Sequence, residues 1–546
     1  MIAQRQNPRL FRLLQPRRAR CLLWMLIPAL VALGLYRTDA WAAARGFYAR
    51  LSILSTIIRI ARDVYVDEVD PDKLMDGAID GLLDSLDPHS SYLPPGAAEK
   101  LEERLRGSFG GVGIYYSVID GVPTVMSVIE GGPAEHAGVA TGDRIIAVDG
   151  RTTLGWRDAE VQEHLRGPLD TRVRVTLDRA GEKRPVEAEI VRGTIPLKSV
   201  PYAFMLDDTT GYVRISNFAQ TTGQEVGQEL SRLEGEGMRD LILDLRDNGG
   251  GELGAAVGVA NYFLSEGTTI VTQRGRWPQA NQSFYASAGP LKVDVPVVVM
   301  INHGSASASE IVAGALQDTD RGIIVGQRSF GKGLVQRPFD LSHQVTEGGV
   351  LLLTVARYYT PTGRLIQRDY STGTAQYVLE GLSDGSPADT MRGPAYQTPL
   401  GRTVYGGGGI RPDFVIPRSP VDRLVIRLSN RAVFFRFADE LVRQGRTFPE
   451  TLSEFRQRYR PDDSTFGEFV ALAHTIDPDV PQTELYEARS VLGPHIIAGI
   501  AGRQWGLEAR YRLLAPSDPE LAVAHERLSD AGRLLGLARG LGERSR

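Results

Sequence analysis

Two short stretches hold the residues whose types and spacing point to chemistry. The first runs Val297-Val298-Val299-Met300-Ile301-Asn302-His303-Gly304-Ser305-Ala306-Ser307-Ala308-Ser309-Glu310-Ile311. It reads as a buried strand, a tight turn of small residues, and a helix over Glu310 to Leu316 with one apolar face. A serine in that turn faces the unpaired N–H groups and positive dipole end of a helix, a setting that favours a developing oxyanion. Serine before a helix is also an ordinary N-cap, and this stretch alone leaves both roles open.

The second stretch is Gly331-Lys332-Gly333, a lysine whose glycine neighbours let it approach another backbone closely. At its ordinary pKa of about 10.4, roughly one lysine in a few thousand is neutral at pH 7. A general base there needs desolvation that lowers the pKa by about 3 units, or about 4 kcal/mol of environmental bias. Lysine beside serine is a known alternative to the histidine base of a triad, whereas an exposed turn lysine would do none of this. The eight histidines are scattered and show no His-Glu-x-x-His spacing, so no metal site is expected. His303 adjoins the serine turn and reads as a rim residue.

These stretches resemble the C-terminal processing peptidases, or tail-specific proteases, of the S41 serine peptidase family. The resemblance rests on Asn302 to Glu310, on Phe330 to Gln336, and on Asp244-Leu245-Arg246-Asp247-Asn248-Gly249-Gly250-Gly251. Thr360-Pro361-Thr362-Gly363 and Gly408-Gly409-Ile410-Arg411-Pro412-Asp413 follow in family order, and the likeness spans roughly 64–417. It implies a nucleophile at Ser307, a base at Lys332 and a lysine-orienting amide at Gln336. It also implies an oxyanion hole from the N–H of Ala308 and one of the three glycines, of which Gly250 is taken. Ser305 and Ser309 are expected to cap the helix. Asp87-Pro88-His89-Ser90-Ser91-Tyr92 matches a family segment expected to shape a turn.

A second resemblance, to PDZ modules, lies upstream. Gly110-Gly111-Val112-Gly113-Ile114 is similar to their carboxylate-binding loop, and Gly142 to Gly150 to another of their hallmarks. It implies that Gly111, Val112, Gly113 and Ile114 hold a peptide C-terminus through main-chain donors while the peptide adds as a strand. The terminal side chain would enter a groove between strand 113–117 and helix 158–165. Arg166 sits where some relatives couple this module to the protease.

The elements that must position these residues follow from texture. A chain of 546 residues is too long for one core, so several domains are expected. A leader over 1–45 carries six arginines and no acid before the apolar run Cys21 to Tyr36, followed by Ala40-Trp41-Ala42. Arginine stays on the cytoplasmic side, so the rest is expected to cross the membrane, whether the leader is cleaved or kept as an anchor. A helical pre-domain follows over 46–106, a β-rich domain over 107–195 and an α/β core over 196–417, which the resemblances imply to be a PDZ domain and a crotonase-like protease core, and then a helical region over 418–546. In the core, apolar runs at 211–215, 241–245, 295–301, 323–325 and 351–358 alternate with helical segments, which argues an α/β domain whose buried strands carry helices on their faces. Residues 371–400, rich in Ser, Gly, Asp and Pro, read as a long surface loop. The fold class is multi-domain α+β.

The only cysteine, Cys21, is in the leader, which removes disulfides and thiol chemistry from the folded part. A net charge of -4 supplies no basic field for nucleic acid. The expected activity is an exported or periplasmic serine endopeptidase acting on protein segments with free C-termini, without a cofactor. Membrane association through the leader and self-association are both compatible with it. A non-catalytic exported PDZ scaffold is the alternative, opposed by the intact Ser307, Lys332 and Gln336. An acyl-CoA-handling relative is the remoter one.

Overall fold

The computed structural model describes residues 49–289, 291–343, 348–382, 393–417 and 423–544; the expected leader lies outside them. No helix of the described residues is long and apolar enough to cross a membrane. The chain divides into two compact units, Met1–Leu86 and Asp87–Arg546. In the first, a helix over 49–64 precedes Pro71–Asp84, which Asp70 caps by accepting from the Asp72 N–H. The second unit begins inside the expected pre-domain, so the helix Pro95–Arg106 belongs with the PDZ domain and the protease core.

The protease core is built on a six-stranded sheet in the order Tyr202–Met205, Thr210–Arg214, Asp240–Asp244, Val297–Ile301, Ile323–Gly326, Phe414–Val415, parallel from the second strand on. Its central strands are continuous apolar runs because both faces are covered. The period-2 alternation of a strand sorts them. Val297, Val299 and Ile301 join the core under the helices Thr222–Gly235, Leu253–Asn261 and Ala308–Asp318. Val298 and Met300 face the other way, against Leu521, Ala524 and Leu534 of the C-terminal helices Pro519–Glu526 and Leu528–Arg544. Part of the helical region beyond 417 therefore forms the back cover of the protease sheet.

The run at 351–358 departs from expectation. It lies in Val350–Tyr359, the centre of an antiparallel sheet with Ser91–Leu93, Leu334–Asp340 and Thr269–Arg274 as partners. The physical reason is the short connection from Leu334–Asp340, which closes a hairpin and has no length for the helical crossover a parallel pair needs. The expected loop at 371–400 also holds structure. Thr374–Leu382 is a helix with Tyr377 wholly buried, and Ala395–Gln397 pairs with Thr403–Tyr405.

The PDZ domain is a six-stranded antiparallel sheet led by the edge strand Ile114–Ile119, with the helix Asp158–Leu165 packed through Val161 and Leu165 on the domain's own core. The chain enters and leaves this domain through one ribbon, in which Ser108–Gly111 pairs antiparallel with Gly193–Pro196. Beyond 423, helices from Arg423–Asn430 to Arg489–Leu514 bury a separate aromatic-rich core that includes Phe437, Phe455, Phe466 and Phe469. The last of these helices breaks at Gly506, whose φ of 85° no helix contains.

Candidate active site

Ser307 is the residue before the helix Ala308–Asp318, with φ 55° and ψ -112°. A non-glycine residue held there costs of order 1–3 kcal/mol and persists only where its surroundings enforce it. They do so through Ser305 and Ser309, expected as caps, which instead staple the turn to the loop after Asp240–Asp244. Ser305 Oγ donates to the Leu245 carbonyl at 2.8 Å and Ser309 Oγ to the Asn248 carbonyl at 2.8 Å. Ser307 lines a cavity of about 710 Å3 together with Lys332 and Gln336. Gly249, Gly250 and Gly251 contribute one wall, and Leu253, Ile311, Leu334 and Leu352 make an apolar side.

Lys332 enters this cavity from the stretch between Ile323–Gly326 and Leu334–Asp340, and its Nζ donates to Gln336 Oε1 at 2.7 Å. The four-residue reach is made by neither a helical turn nor a loop. Gln336 lies on the strand Leu334–Asp340, where a register shift between Val335 and Gln336 re-aims its side chain. Gln336 Nε2 donates in turn to the His89 carbonyl, which fixes which end of the amide faces the lysine. Burial pushes the Lys332 pKa below its ordinary value, against the opposing charges of Glu310 and Asp87.

Glu310 joins the two halves of the site. Its carboxylate accepts from the N–H of Ser307 at 2.8 Å, of Gly331 at 2.8 Å and of Lys332 at 2.9 Å, and from Ser329 Oγ. Burial pushes its pKa up, and the four donors work the other way. Tyr358, also wholly buried, makes a second clamp: its hydroxyl donates to the carbonyls of Ser307 at 3.1 Å and Lys332 at 2.6 Å. Sequence reasoning missed both residues. The Ser-x-x-Glu spacing of a capping box was a visible signal for Glu310; Tyr358 had none.

The expected turn Asp87 to Tyr92 supports the same site. Asp87 accepts from the N–H groups of His89 and Ser90, both at 2.9 Å, and from Thr354 Oγ1 at 3.0 Å. The His89 ring stands edge-on to Phe330 and Tyr377, with its Nε2 3.1 Å from the Tyr377 hydroxyl. Burial, then the nearby Lys332 charge, push the His89 pKa down to about 4. An unfolded chain takes up this proton as pH falls below about 6.5, whereas the folded one resists until about 4. Stability contributed by His89 is therefore complete above about 6.5 and is lost on acidification, by up to about 3 kcal/mol. Denaturant midpoints between pH 7 and pH 4 should fall more steeply in the wild type than in His89→Phe; equal slopes would refute the assignment.

The oxyanion donors fare differently. Ala308 is the first residue of its helix, one of the positions whose N–H has no intrahelical acceptor. The Gly250 N–H is already donated to Asn248 Oδ1 at 2.9 Å, so the expected second donor is engaged elsewhere. What Gly250 supplies is closeness: at its φ of 96°, a Cβ would lie 2.8 Å from the Ala306 carbonyl and 2.9 Å from the Ala308 nitrogen. His303 is buried rather than at the rim and does not line the cavity.

In the PDZ domain, Gly111 pairs with Gly193 in the entry ribbon, while Val112 is buried, Gly113 turns at φ 82° and Ile114 begins the edge strand. Arg166 reaches Glu103 of the helix Pro95–Arg106 at 2.8 Å and covers the Phe109 ring at 4.2 Å. Leu101, Arg104 and Leu105 of that helix line the cavity of Ser307, so Arg166 links the PDZ domain to the cavity wall.

Comparison with known proteins sets this geometry in a family context. Residues 209–375 match the model of peptidase family S41, 124–179 that of a PDZ domain, and 40–95 that of the activating protease CtpB N-terminal domain. The chain is 40% identical over 324 residues to a carboxy-terminal-processing protease of Bartonella bacilliformis, covering 59% of this chain and 73% of that one. It is 35% identical over 305 residues to the carboxy-terminal processing protease CtpA of Bacillus subtilis, covering 56% of this chain and 64% of that one. Among solved structures, a photosystem II D1 C-terminal processing protease shares 29% identity, with 62% of this chain and 98% of that one covered at a TM-score of 0.32.

Proposed function

The chain belongs to peptidase family S41 and is a serine-type peptidase, and from that premise we propose that it cleaves exported proteins near their C-termini with a Ser307/Lys332 dyad. The observation that carries the dyad is the Lys332 Nζ to Gln336 Oε1 bond, 2.7 Å, in the cavity that also holds Ser307. Neutral Lys332 takes the Ser307 Oγ proton as the oxygen attacks the scissile carbonyl, and the oxyanion forms against the Ala308 N–H. Collapse of that adduct breaks the C–N bond, Lys332 returns the proton to the leaving amine, and an acyl-enzyme remains on Ser307. Water, deprotonated by Lys332, then adds to the ester carbonyl. The second collapse returns the proton to Ser307 and frees the new C-terminus. Gln336, held by the His89 carbonyl, keeps the lysine aimed throughout. The apolar side of the cavity favours an apolar residue beside the scissile bond.

The PDZ domain receives the free C-terminus at Gly111 to Ile114, whose main-chain donors suit a carboxylate. Amidating a substrate's C-terminus removes that charge without touching the scissile bond. Cleavage of an unstructured polypeptide with an apolar tail should slow by about tenfold or more on amidation and stop in Ser307→Ala. Equal rates for free and amidated tails would overturn the docking role. The six arginines, with no acid among them, ahead of the apolar run support placing residues from 46 on the outer side of the cytoplasmic membrane. External protease should reach the chain in cells with an opened outer envelope; full-length protein protected in the cytosol would refute this.

A further inference from the structure

We propose that the helices Val433–Arg443 and Arg489–Leu514 complete the peptide groove of the PDZ domain and read the substrate side chains that point away from the helix Asp158–Leu165. The inference rests on the docking of a substrate C-terminus along Ile114–Ile119 proposed above. That strand is the edge of its sheet, paired on one side only with Val122–Val128 among the described residues. A peptide adding to its open side with the carboxylate at Gly113 runs antiparallel to it, and its successive side chains alternate between the two faces of the sheet.

The edge strand shows what awaits each set. Ile114 and Tyr116 face the domain's own core, and the Tyr116 hydroxyl donates to Asp158 Oδ1 at 2.7 Å at the start of the helix Asp158–Leu165. The C-terminal side chain and the one two residues before it share this face. Tyr115 and Ser117 face the other way, where the helices Val433–Arg443 and Arg489–Leu514 stand across from the strand and leave a groove of about 300 Å3. Tyr115 and Met126 form one wall, and Phe434, Phe435, Leu507 and Arg510 the other. The side chains one and three residues before the C-terminus enter here.

This second wall is built closely and held in place. A Cβ on Gly499 would lie 2.8 Å from the Phe434 carbonyl, so only glycine lets the two helices meet behind the groove. The break at Gly506 turns the chain back, and the Arg510 Cβ comes to 3.2 Å from where a Gly502 side chain would begin. Arg436 pairs with Asp120 at 2.8 Å, at the turn after the edge strand, and Arg443 donates to the Gly142 carbonyl at 3.3 Å. Gly142 has no room for a side chain against the Arg503 guanidinium. The wall thus belongs to the same rigid surface as the edge strand, and its apolar lining selects a bulky, best an aromatic, side chain, with Arg510 offering its cation to the ring.

The test uses the full chain carrying Ser307→Ala, so that peptides bind without being cut. Labelled peptides sharing one C-terminal residue carry Gly, Leu or Phe one and three residues earlier, each with a free or an amidated end, and dissociation constants are read by fluorescence anisotropy. Phe should bind about tenfold tighter than Gly. Phe435→Ala and Leu507→Glu should each shrink this ratio to within about twofold. Leu507 is 40% exposed, so that variant decides alone if Phe435→Ala melts early. Free peptides that outbind amidated ones while Phe and Gly bind equally would overturn the groove and leave the docking reading standing. Loss of the free-over-amidated preference in the parent would overturn the docking reading itself, and the groove with it. A Phe preference that persists unchanged in Leu507→Glu would place its origin elsewhere and refute the proposal.

Discussion

Lys332→Arg should lose nearly as much activity as Ser307→Ala, on the order of 10^6 in turnover if the two act as a unit. Arginine keeps the charge at this site but does not give up its proton in the working range, so it separates a base from a structural cation. Burial already biases Lys332 toward its neutral form. The rate should therefore rise with pH through an apparent pKa below the ordinary lysine value, as the proton leaves Nζ. His303→Ala is the matched control, and because His303 stays outside the cavity its effect should be small. A Lys332→Arg enzyme that keeps substantial turnover while His303→Ala is dead would reverse the assignment of the base.

Glu310→Gln should be the next most damaging change, although Glu310 is not expected to touch substrate. Its two carboxylate oxygens take four donors, two of them the N–H groups of Ser307 and Lys332. Glutamine has one acceptor oxygen and turns an NH2 group toward donors already in place. Each buried donor left without a partner costs about 1–3 kcal/mol. The nucleophile and the base would then drift apart, and a misplacement of about 1 Å costs about 10^2 in rate. Glu310→Gln is accordingly expected to lower kcat by about 10^2 or more, with KM little changed, and to lower the melting temperature by several degrees. Unchanged kcat in a stably folded Glu310→Gln protein would show that Ser307 and Lys332 are held by other contacts.

The parts of this site that were legible in the sequence are those with local signatures. Ser307 stands in a strand–turn–helix of small residues and Lys332 between glycines, so backbone demands mark both. The helix Asp158–Leu165 was visible from its periodicity, and the central strands from their continuous apolar runs. Geometry that depends on pairing was not. The spacing of Gln336 from Lys332 is plain, but a bulge against Val350–Tyr359 decides how it is spanned. Glu310 sits 19 to 22 residues before Ser329, Gly331 and Lys332, and His89 lies 247 residues before Gln336, distances over which no spacing rule operates. Tyr377 was hidden by composition, since the Ser, Gly, Asp and Pro around it describe a loop while its ring packs beside Phe330 and His89. Gly250 was chosen because a close approach needs glycine; the approach is there, but its amide direction is set by Asn248.

The paired ribbon of Ser108–Gly111 and Gly193–Pro196 makes the PDZ domain an insertion with a single stem. Ser108 lies opposite Pro196 and Gly111 opposite Gly193, so the two cut ends left by removing 112–192 would already be neighbours. A tight turn of a few residues can close such ends, as it closes any hairpin. Seen as an assembly problem, the peptidase core does not depend on the inserted domain for its chain path, and that domain can be exchanged for another without rerouting the core. What would not transfer is the fit to the helix Val433–Arg443, because Asp120 and Gly142 meet its Arg436 and Arg443 outside the stem. Any new occupant of the stem would have to bring matching partners to that surface or leave both arginines exposed.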